Sequence, residues 1–292
     1  MMDRYLLRYF LAVIDQGNFS KAALACNVSQ PTLSAGIAKL EAQLGCTLFH
    51  RNNRRVELTE AGVSLSRYAR RIEADFVAAE RELHGKTDLP TLRLGVLASI
   101  SGAWIEEYVV RLRGAAINEQ VEFVGGRERD LLERLARGRI DVALTIVRND
   151  QLRLRSKSLF SEGYALAMAA SHPLAHAEII DGADLADNPM IVRRHCELLS
   201  ETSRYFTARG VRPFFPARTT SDDQALRLVR AGLGVTVMPD SFHAPGVVRP
   251  RLADFPFTRE IGLLFAAHGD ADMLLDRPTL RILLETVDAC RE

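Results

Sequence analysis

The 292-residue chain contains no apolar run near the roughly 18 residues that span a bilayer. Arginine and tyrosine interrupt residues 1–10, so the start of the chain lacks the apolar centre of a secretory signal. We therefore expect a cytoplasmic protein with no membrane partner. Cysteine is scarce, with four residues and no C-x-x-C pair, which favours a reduced compartment over a disulfide framework.

Signatures of catalysis are also missing. The sequence has no G-x-S-x-G, P-loop, H-E-x-x-H or G-x-G-x-x-G motif, and its seven histidines show no metal-ligand spacing. We therefore expect no enzyme, no cofactor and no metal site. Cys196 is a candidate for sensing oxidants, although its potential partner Cys290 is expected in a different lobe.

The overall charge gives little information, because 38 basic residues nearly balance 37 acidic ones. This balance neither indicates nor excludes a nucleic-acid partner. The apolar fraction of 47% is typical of a globular protein, and the length suits about two domains. The function must therefore be inferred from local patterns.

The N-terminal pattern predicts a helix-turn-helix. A first helix is expected to stop near Gly17, and Ser20 is the expected N-cap of a second. Ser29 is the expected N-cap of a third helix, in which Pro31 suits the first turn. The following stretch LFHRNNRRVELT (48–59) has an Asn-Asn turn between short alternating segments, which predicts a two-stranded wing with a basic tip.

The third helix has an unusual outward face. Its apolar residues recur every three or four positions and form one face: Leu33, Ile37, Leu40 and Leu44. The opposite face near the helix start is short, neutral and rich in hydrogen-bonding groups. Such a face fits against a DNA groove or a partner protein without burying unpaired charge.

Together these residues resemble the N-terminal domain of LysR-type transcriptional regulators. The resemblance rests on Phe10, Phe19, Ser20, Ala22, Ala23, Ser29, Gln30, Pro31, Ser34, Ile37, Leu40, Glu41, Leu44, Gly45, Leu48, Phe49, Arg51 and 58–62. It implies a winged domain whose third helix enters the major groove of double-stranded DNA. The DNA contacts would come from Ser20, Lys21, Gln30, Thr32, Ser34, Ala35, Lys39, Arg51, Arg54 and Arg55.

One departure concerns Ala35 and Gly36, where the family usually has a longer, often basic or polar pair. Two interpretations are open for this small pair: close packing against another helix, or close approach to DNA.

A long helix without proline is predicted from Glu60 to about His84, with Thr59 as its N-cap. Its apolar stripe has no core of its own and needs a partner. The stripe consists of Leu65, Ile72, Ala79 and Leu83. The resemblance implies a homodimer formed by two such helices, or a homotetramer through further contacts, with RNA polymerase as another candidate partner.

From Thr91 onward strands and helices alternate, which predicts a parallel α/β sheet. Here the chain resembles the two-lobed effector domain of the same family, a fold shared with periplasmic solute-binding proteins. The similarity is good at 171–175 and 231–239 and poor at 194–201. A strand at 261–265 and a final helix from about Pro278 are expected to return to the first lobe.

The predicted fold class is therefore α/β with three parts. Residues 1–59 form the winged helix-turn-helix, 60–89 the linker helix and hinge, and 90–292 the effector domain. Within the effector domain, 90–162 and 266–292 are assigned to lobe one and 163–265 to lobe two.

Ligands of open α/β sheets bind beyond the carboxyl ends of the strands. Candidate ligand residues at these ends are Ser99, Ser101, Thr145, Arg193 and Ser221. Hydroxyls and one arginine suit a small organic anion, although hydroxyls also cap helices and Arg193 could pair with a neighbouring acid. The sequence thus predicts a DNA-binding transcriptional regulator controlled by a small-molecule effector. The alternative is a solute-binding or carrier protein, which the third part alone would favour.

Overall fold

Three helices and a short two-stranded ribbon form the N-terminal domain. The computed structural model describes residues 3–50, 56–83, 89–148, 154–266 and 270–291. The elements of this domain are α1 (Arg4–Gln16), α2 (Phe19–Ala25), α3 (Gln30–Leu44), β1 (Phe49–His50) and β2 (Glu57–Leu58). β1 and β2 pair antiparallel, as the wing prediction requires.

The ends of α1 and α3 are set by local backbone chemistry. Gly17 and Gly45 follow these helices with φ of 61° and 67°, a left-handed conformation that glycine adopts without a steric penalty. The Ser29 hydroxyl accepts a hydrogen bond from the Thr32 backbone N–H at 3.3 Å. Ser29 is therefore the N-cap of α3, as predicted.

The start of α2 differs from the prediction. Asn18, not Ser20, is the N-cap, because it is the last residue with an extended backbone before the helix. Its side chain accepts a hydrogen bond from the Lys21 backbone N–H at 3.1 Å. Ser20 consequently lies inside the helix and is exposed.

The inner faces of the three helices meet in one apolar core. Its fully buried members include Leu6, Phe10, Leu33, Leu40 and Leu48. The rings of Phe10 and Phe49 pack with centroids 5.3 Å apart, which anchors the wing to α1. The apolar spacing of α3 thus predicts Leu33, Ile37 and Leu40 correctly as buried, whereas Leu44, in the last turn, is exposed.

A 24-residue helix, α4 (Glu60–Leu83), follows the wing. The Thr59 hydroxyl accepts a hydrogen bond from the Gly62 N–H at 3.0 Å, which confirms the predicted N-cap. Arg70 pairs with Asp15 at 2.6 Å. The first half of α4 is therefore fixed against α1.

The apolar stripe of α4 is partly used within this domain. Leu65 and Ile72 pack against the N-terminal core, and the side chains of Ala79 and Leu83 lie outside the described residues. Apolar side chains of α4 that remain exposed include Val63, Tyr68 and Phe76. At about 100° per residue, Phe76 lies within about 40° of Leu65 and Ile72 and Tyr68 lies beside them, so the exposed apolar surface borders the predicted stripe.

The first lobe begins with the expected alternation of strands and helices. Its elements are β3 (Thr91–Leu97), α5 (Gly102–Gly114), β4 (Gln120–Gly126), α6 (Glu128–Ala136), β5 (Val142–Ile146) and β6 (Ser156–Glu162). β3 pairs parallel with both β4 and β5. β6 is not among the predicted strands, because most of its side chains are exposed and it lacks an apolar pattern.

The chain then forms a second lobe. Its elements are β7 (Tyr164–Ala169), β8 (Ile179–Ile180), β9 (Ile191–Arg193), α7 (Leu199–Ala208), β10 (Ala217–Thr219), α8 (Asp222–Arg230), β11 (Thr236–Pro239), β12 (Val247–Val248) and β13 (Arg251–Leu252). β7 lies between β11 and β12, and β9 pairs parallel with β10. Separate apolar clusters fill the two lobes.

The return to the first lobe occurs earlier than the predicted boundary. Its elements are β14 (Arg259–Phe265), α9 (Ala271–Leu275) and α10 (Pro278–Ala289). β14 pairs antiparallel with β5 and β6, so the strand at 261–265 returns to lobe one as expected, and the boundary at 265 was placed too late. The five-stranded sheet, in the order β4-β3-β5-β14-β6, is therefore mixed and not wholly parallel. The final helix packs on α5, where the Tyr108 hydroxyl donates to the Thr279 carbonyl at 2.9 Å.

In the described ranges, no helix has both the length and the apolar character needed to cross a membrane. The same residues contain no cluster of three or more His, Cys, Asp or Glu side chains suited to a metal ion.

Candidate DNA interface and effector cleft

The outward face of α3 begins with exposed polar side chains. Gln30 Nε2 donates to Ser34 Oγ at 2.9 Å, and the hydroxyls of Thr32 and Ser29 share a hydrogen bond of 2.7 Å. All of these groups are neutral and reach the protein surface. They can exchange these bonds for bonds to base edges or phosphates without burying an unpaired charge.

The other predicted DNA contacts fall into two groups. Ser20 and Lys21 are exposed on α2, and Ala35 is exposed in the second turn of α3. The tip of the wing lies outside the described residues, and with it Arg51, Arg54 and Arg55. The structure therefore brings together the helical candidates and leaves the basic tip as a sequence prediction.

Lys39 is directed toward the start of α1. Its Nζ donates to the Tyr5 hydroxyl at 3.0 Å and lies 3.9 Å from an Asp3 carboxylate oxygen. The hydrogen bond to Tyr5 raises the pKa of the Lys39 ammonium above its ordinary value. Its side chain would have to release Tyr5 in order to reach DNA.

Gly36 lies on the buried face of α3. A β-carbon at this position would lie 2.7 Å from Cδ2 of Tyr9 and 3.4 Å from Cδ2 of Leu6, both on α1. The glycine is therefore explained by close packing of α3 on α1. Ala35, its neighbour, is exposed and stays available for close approach to DNA.

At the junction of the lobes, Arg259 joins groups from both of them. Its side chain is only 2% exposed at the start of β14. The guanidinium donates to Glu162 at 2.8 Å, to the Ser99 hydroxyl at 2.8 Å and to Glu197 at 2.6 Å. Ser99 and Glu162 belong to lobe one, whereas Glu197 follows β9 in lobe two. Arg259 therefore links the lobes through buried charge.

Three donors converge on the Glu197 carboxylate. Oε1 accepts hydrogen bonds from Arg259 at 2.6 Å and from the Tyr164 hydroxyl at 2.5 Å, and Oε2 accepts one from Ser99 at 3.0 Å. Burial alone would raise the pKa of Glu197, but Arg259 and the Tyr164 bond hold it below the ordinary value of 4.5. The carboxylate is therefore ionised at neutral pH although it is buried.

Arg193 lies at the predicted strand end, but its guanidinium meets a carboxylate of its own lobe. Nε donates to Asp222 Oδ1 at 2.7 Å, and Nη2 donates to Oδ2. Nη1 donates to the Val237 carbonyl at 2.8 Å. Burial acts to lower the pKa of Arg193, but the Asp222 charge outweighs it, so the pKa is raised. The geometry thus favours an internal ion pair over a free cation for a ligand.

The predicted hydroxyls have different surroundings. Ser99 and Ser101 are buried at the end of β3. Thr145 is fully buried, and its Oγ1 has no hydrogen-bond partner among the described atoms. Ser221 accepts a hydrogen bond from the Gln224 backbone N–H at 3.2 Å and so caps α8. Ser99 is the one whose hydroxyl joins the network across the lobes.

A second contact between the lobes lies at the start of α5. Asp223, in the first turn of α8, accepts a hydrogen bond from the Gly102 backbone. A β-carbon at Gly102 would lie 2.6 Å from Asp223 Oδ2, so glycine permits this approach. Burial raises the pKa of Asp223 above its ordinary value, although the Gly102 bond acts in the opposite direction.

Cys196 lies beside the Arg193 pair, with its Sγ 3.6 Å from Arg193 Nη1. Burial raises the pKa of the thiol, and the Arg193 charge only partly opposes this. The thiol lines a mostly apolar cavity of about 80 Å³ between β9 and α7. Cys290 follows α10 in lobe one, as predicted, and packs against a different apolar cluster.

Sequence reasoning missed several residues of the cleft. They are Glu162, Tyr164, Glu197, Asp222, Asp223 and Arg259. One usable signal was an arginine two residues before the apolar run at 261–265, since a charge at the start of a buried strand needs a partner. Glu197 lies in the stretch 194–201, which matches the family pattern poorly.

Two family models match this chain. The model of the bacterial regulatory helix-turn-helix protein, lysR family, matches residues 5–63, and the LysR substrate binding domain matches residues 86–276. The first covers α1 to the wing and the first residues of α4, and the second covers most of both lobes.

Similar proteins agree with these matches. The "Probable hydrogen peroxide-inducible genes activator" of Mycobacterium avium is 32% identical over 281 residues, which cover 91% of this chain and 88% of that protein. The HTH-type transcriptional regulator AlsR of Bacillus subtilis is 30% identical over 247 residues, covering 82% and 81%. A full-length OxyR variant from Pseudomonas aeruginosa has the same fold, with a TM-score of 0.65, 24% identity, and 99% and 96% of the two chains covered. These relatives are transcriptional regulators and not enzymes or carrier proteins. The chain belongs to the LysR family of DNA-binding transcriptional regulators, which carry a small-molecule effector domain.

Proposed function

We propose that this regulator reads its DNA sequence through the first two turns of α3 and through the basic wing. The observation that carries the proposal is the neutral, surface-reaching face at Gln30, Thr32 and Ser34, opposite an inner face that is buried through the first three turns of α3. A glutamine can bond adenine through two hydrogen bonds in the major groove. Other side chains would contact phosphates: Ser20, Lys21, Lys39, Arg51, Arg54 and Arg55. The small side chain of Ala35 would let the backbone of α3 come close to the DNA.

The test compares two glutamines of the same helix. Gln30→Ala should lose about 1–3 kcal/mol of discrimination at one base position. Gln43→Ala, which removes an exposed glutamine from the last turn of α3, should leave base preference unchanged. Binding is measured by fluorescence anisotropy on DNA from beside the coding region and on its single-base variants. Unchanged base preference in Gln30→Ala would contradict the placement of α3 in the groove.

The wing is tested by salt dependence. Arg54→Ala should weaken binding to all DNA sequences by a similar factor, because a phosphate contact carries no base information. The slope of log affinity against log salt concentration should become shallower by about one, because one fewer counterion is released on binding. A change confined to one base position would instead place Arg54 on a base edge.

We further propose that the protein is a homodimer formed through α4, or a homotetramer built from such dimers. The exposed side chains Tyr68 and Phe76 support this, because they lie on one side of α4 and a helix with exposed apolar residues is stabilised by covering them. Tyr68→Asp should dissociate the dimer in sedimentation velocity. Ser66→Asp, about 200° around the helix from Tyr68, should not. Dimers of unchanged stability in Tyr68→Asp would exclude this interface.

For the effector we propose a small organic anion between the lobes, with its charged end at Arg259 and Ser99 and not at Arg193. The buried position of Arg259 at the lobe junction supports this. Ser99→Ala should weaken effector binding about fivefold, which corresponds to one ordinary hydrogen bond. Calorimetry with a panel of small carboxylates measures this, with Ser221→Ala as the control. Equal affinity in the Ser99 variant would place the ligand elsewhere.

A second candidate signal is an oxidant, because relatives of this chain are named as hydrogen peroxide-inducible activators and Cys196 lies beside Arg193. The raised thiol pKa argues for slow reaction, since the thiolate is the nucleophile. Peroxide should change DNA binding of the wild type and of Cys290→Ser, but not of Cys196→Ser. No change in the wild type would remove this candidate.

We also propose that the regulator acts in the cytoplasm and there influences RNA polymerase. Transcription with purified RNA polymerase on a bound promoter tests this directly. Wild-type protein should change transcript yield, and Gln30→Ala should do so only at higher protein concentration. Equal yields with and without the wild-type protein would contradict the proposal.

A further inference from the structure

Two positions of lobe one that attract an anion are already occupied by carboxylates of lobe two. Glu197 meets Arg259 and Ser99 at the end of β3. Asp223 meets the Gly102 backbone at the start of α5. The cleft is therefore closed by side chains of the same protein.

The charges around Arg259 are unequal. One guanidinium contacts two carboxylates, Glu162 at 2.7 Å and Glu197 at 2.6 Å, and all three side chains are at most 8% exposed. Arg193, another buried arginine of this region, is paired with Asp222. Glu162 alone balances the charge of Arg259, so Glu197 can leave without stranding a buried cation.

The two carboxylates are also held differently. Glu162 lies on β6, whose neighbour β14 carries Arg259, so their contact is fixed by the sheet register. Glu197 lies in the loop between β9 and α7 of the other lobe. A movement of the loop that carries Glu197 would thus separate it from Arg259 and leave Glu162 in place.

We propose that Glu197 is a built-in occupant of the anion subsite between the lobes, and that a small monocarboxylate competes with it for Arg259, Ser99 and Tyr164. This inference rests on the proposed effector site and names the group that the effector must displace. The exchange replaces one carboxylate by another, so the buried charge stays the same.

The donor geometry selects the ligand class. Two donors converge on one oxygen of Glu197 and one on the other, which matches a planar group with two acceptor oxygens. A phosphate carries further oxygens and charge that these three donors would not satisfy. A carboxylate is therefore the anion that the subsite fits.

Vacating the subsite gives the direct test. Glu197→Ala removes the carboxylate and leaves its donors, so acetate should bind in its place. The melting temperature of Glu197→Ala should rise with sodium acetate concentration and reach a plateau, compared with sodium chloride at equal ionic strength. At the same acetate concentrations, wild type, Glu197→Gln and Glu201→Ala should show only the salt effect, because a side chain tethered beside the subsite has a higher effective concentration than acetate. Glu201 is an acid in the first turn of α7 that contacts Ser200 and Arg204.

A second measurement covers the case in which Glu197→Ala does not fold. Glu197→Gln keeps the side-chain volume but loses the charged bond to Arg259. Alkylation of the neighbouring Cys196, followed by peptide mass spectrometry, should then be about tenfold faster than in wild type, with Cys290 as the internal reference. Glu201→Gln should alkylate at the wild-type rate.

Two results would overturn the inference: no acetate-specific stabilisation of folded Glu197→Ala, or equal Cys196 alkylation in Glu197→Gln and wild type. Neither measurement involves DNA. If acetate stabilises Glu197→Ala but no carboxylate alters DNA binding of the wild type, the anion subsite stands and the proposed effector control fails.

Discussion

Replacing Asp222 with alanine removes the carboxylate that holds Nε and Nη2 of Arg193 in the second lobe. The two side chains are 2% and 3% exposed, so water cannot take over the bonds without opening the lobe. The Val237 carbonyl would keep its bond to Nη1, but a carbonyl does not neutralise the charge. The variant therefore leaves a buried cation without a counter-charge.

Breaking a buried ion pair on one side costs about 3–5 kcal/mol. For a domain of about 150–250 residues, each kcal/mol lowers Tm by about 2–4 °C. Asp222→Ala should therefore lower the Tm of the effector domain by roughly 6–20 °C. Asp187→Ala, at an exposed aspartate of the same lobe, should change the Tm by little.

The double variant Arg193→Met/Asp222→Leu separates charge from packing. Replacing both partners by apolar side chains of similar size is often neutral or stabilising, so this protein should recover most of the lost stability. Calorimetric unfolding of the three variants measures the effect. The reasoning is refuted if Asp222→Ala unfolds within about 1 kcal/mol of wild type, or if the double variant is no better than the single one.

Two further predictions concern the N-terminal domain and acid stability. In Gly62→Ala the new β-carbon would clash with the Leu48 carbonyl oxygen and lie 2.9 Å from Leu58 Cδ2. The variant should therefore lower the free energy of unfolding of the N-terminal domain by about 1–3 kcal/mol, as measured by urea unfolding. Gly114→Ala, with no heavy atom near its β-carbon, should be neutral or stabilising, and equal effects at both glycines would contradict the packing argument. Glu119 in lobe one accepts hydrogen bonds from the Thr279 hydroxyl at 2.7 Å and from Arg277 Nε at 2.9 Å, which hold its pKa below the ordinary 4.5. The pKa of Glu197 is lowered by Arg259 in the same way. The contribution of both carboxylates to the free energy of unfolding is therefore complete above pH 4.5 and is lost as the pH falls through their folded-state pKa values. Thermal unfolding between about pH 6 and pH 3 should show this loss, reduced in Glu197→Gln; an identical pH profile in that variant would contradict it.

The parts of the fold that depend on neighbours in sequence were predictable. The apolar spacing of α3 identified its buried residues except Leu44 in the last turn, and Ser29 and Thr59 are the N-caps that the sequence indicated. The N-cap of α2 was misassigned because Asn18 and Ser20 are both good capping residues. Only the backbone conformation at Asn18 decides between them.

Features that depend on distant pairing were not predictable in the same way. β6 has no apolar pattern and is a strand because β14 pairs with it. Arg259 and Glu162 meet across 97 positions of sequence, and Arg193 and Asp222 across 29. A sequence places such residues at strand ends or helix starts, but it does not give the partner that each one meets.

The case of Arg193 shows how this changes a functional argument. Its position at a strand end facing the junction of the lobes was predicted, and that position alone would suit an anion. A ligand, however, can bind only those guanidinium N–H groups whose hydrogen bonds and charge are not already taken up by other residues of the protein. Asp222 satisfies Arg193 from within lobe two, so any movement between the lobes leaves that pair intact. Arg259 is the arginine whose second carboxylate comes from the other lobe, and its bonding therefore changes when the lobes move.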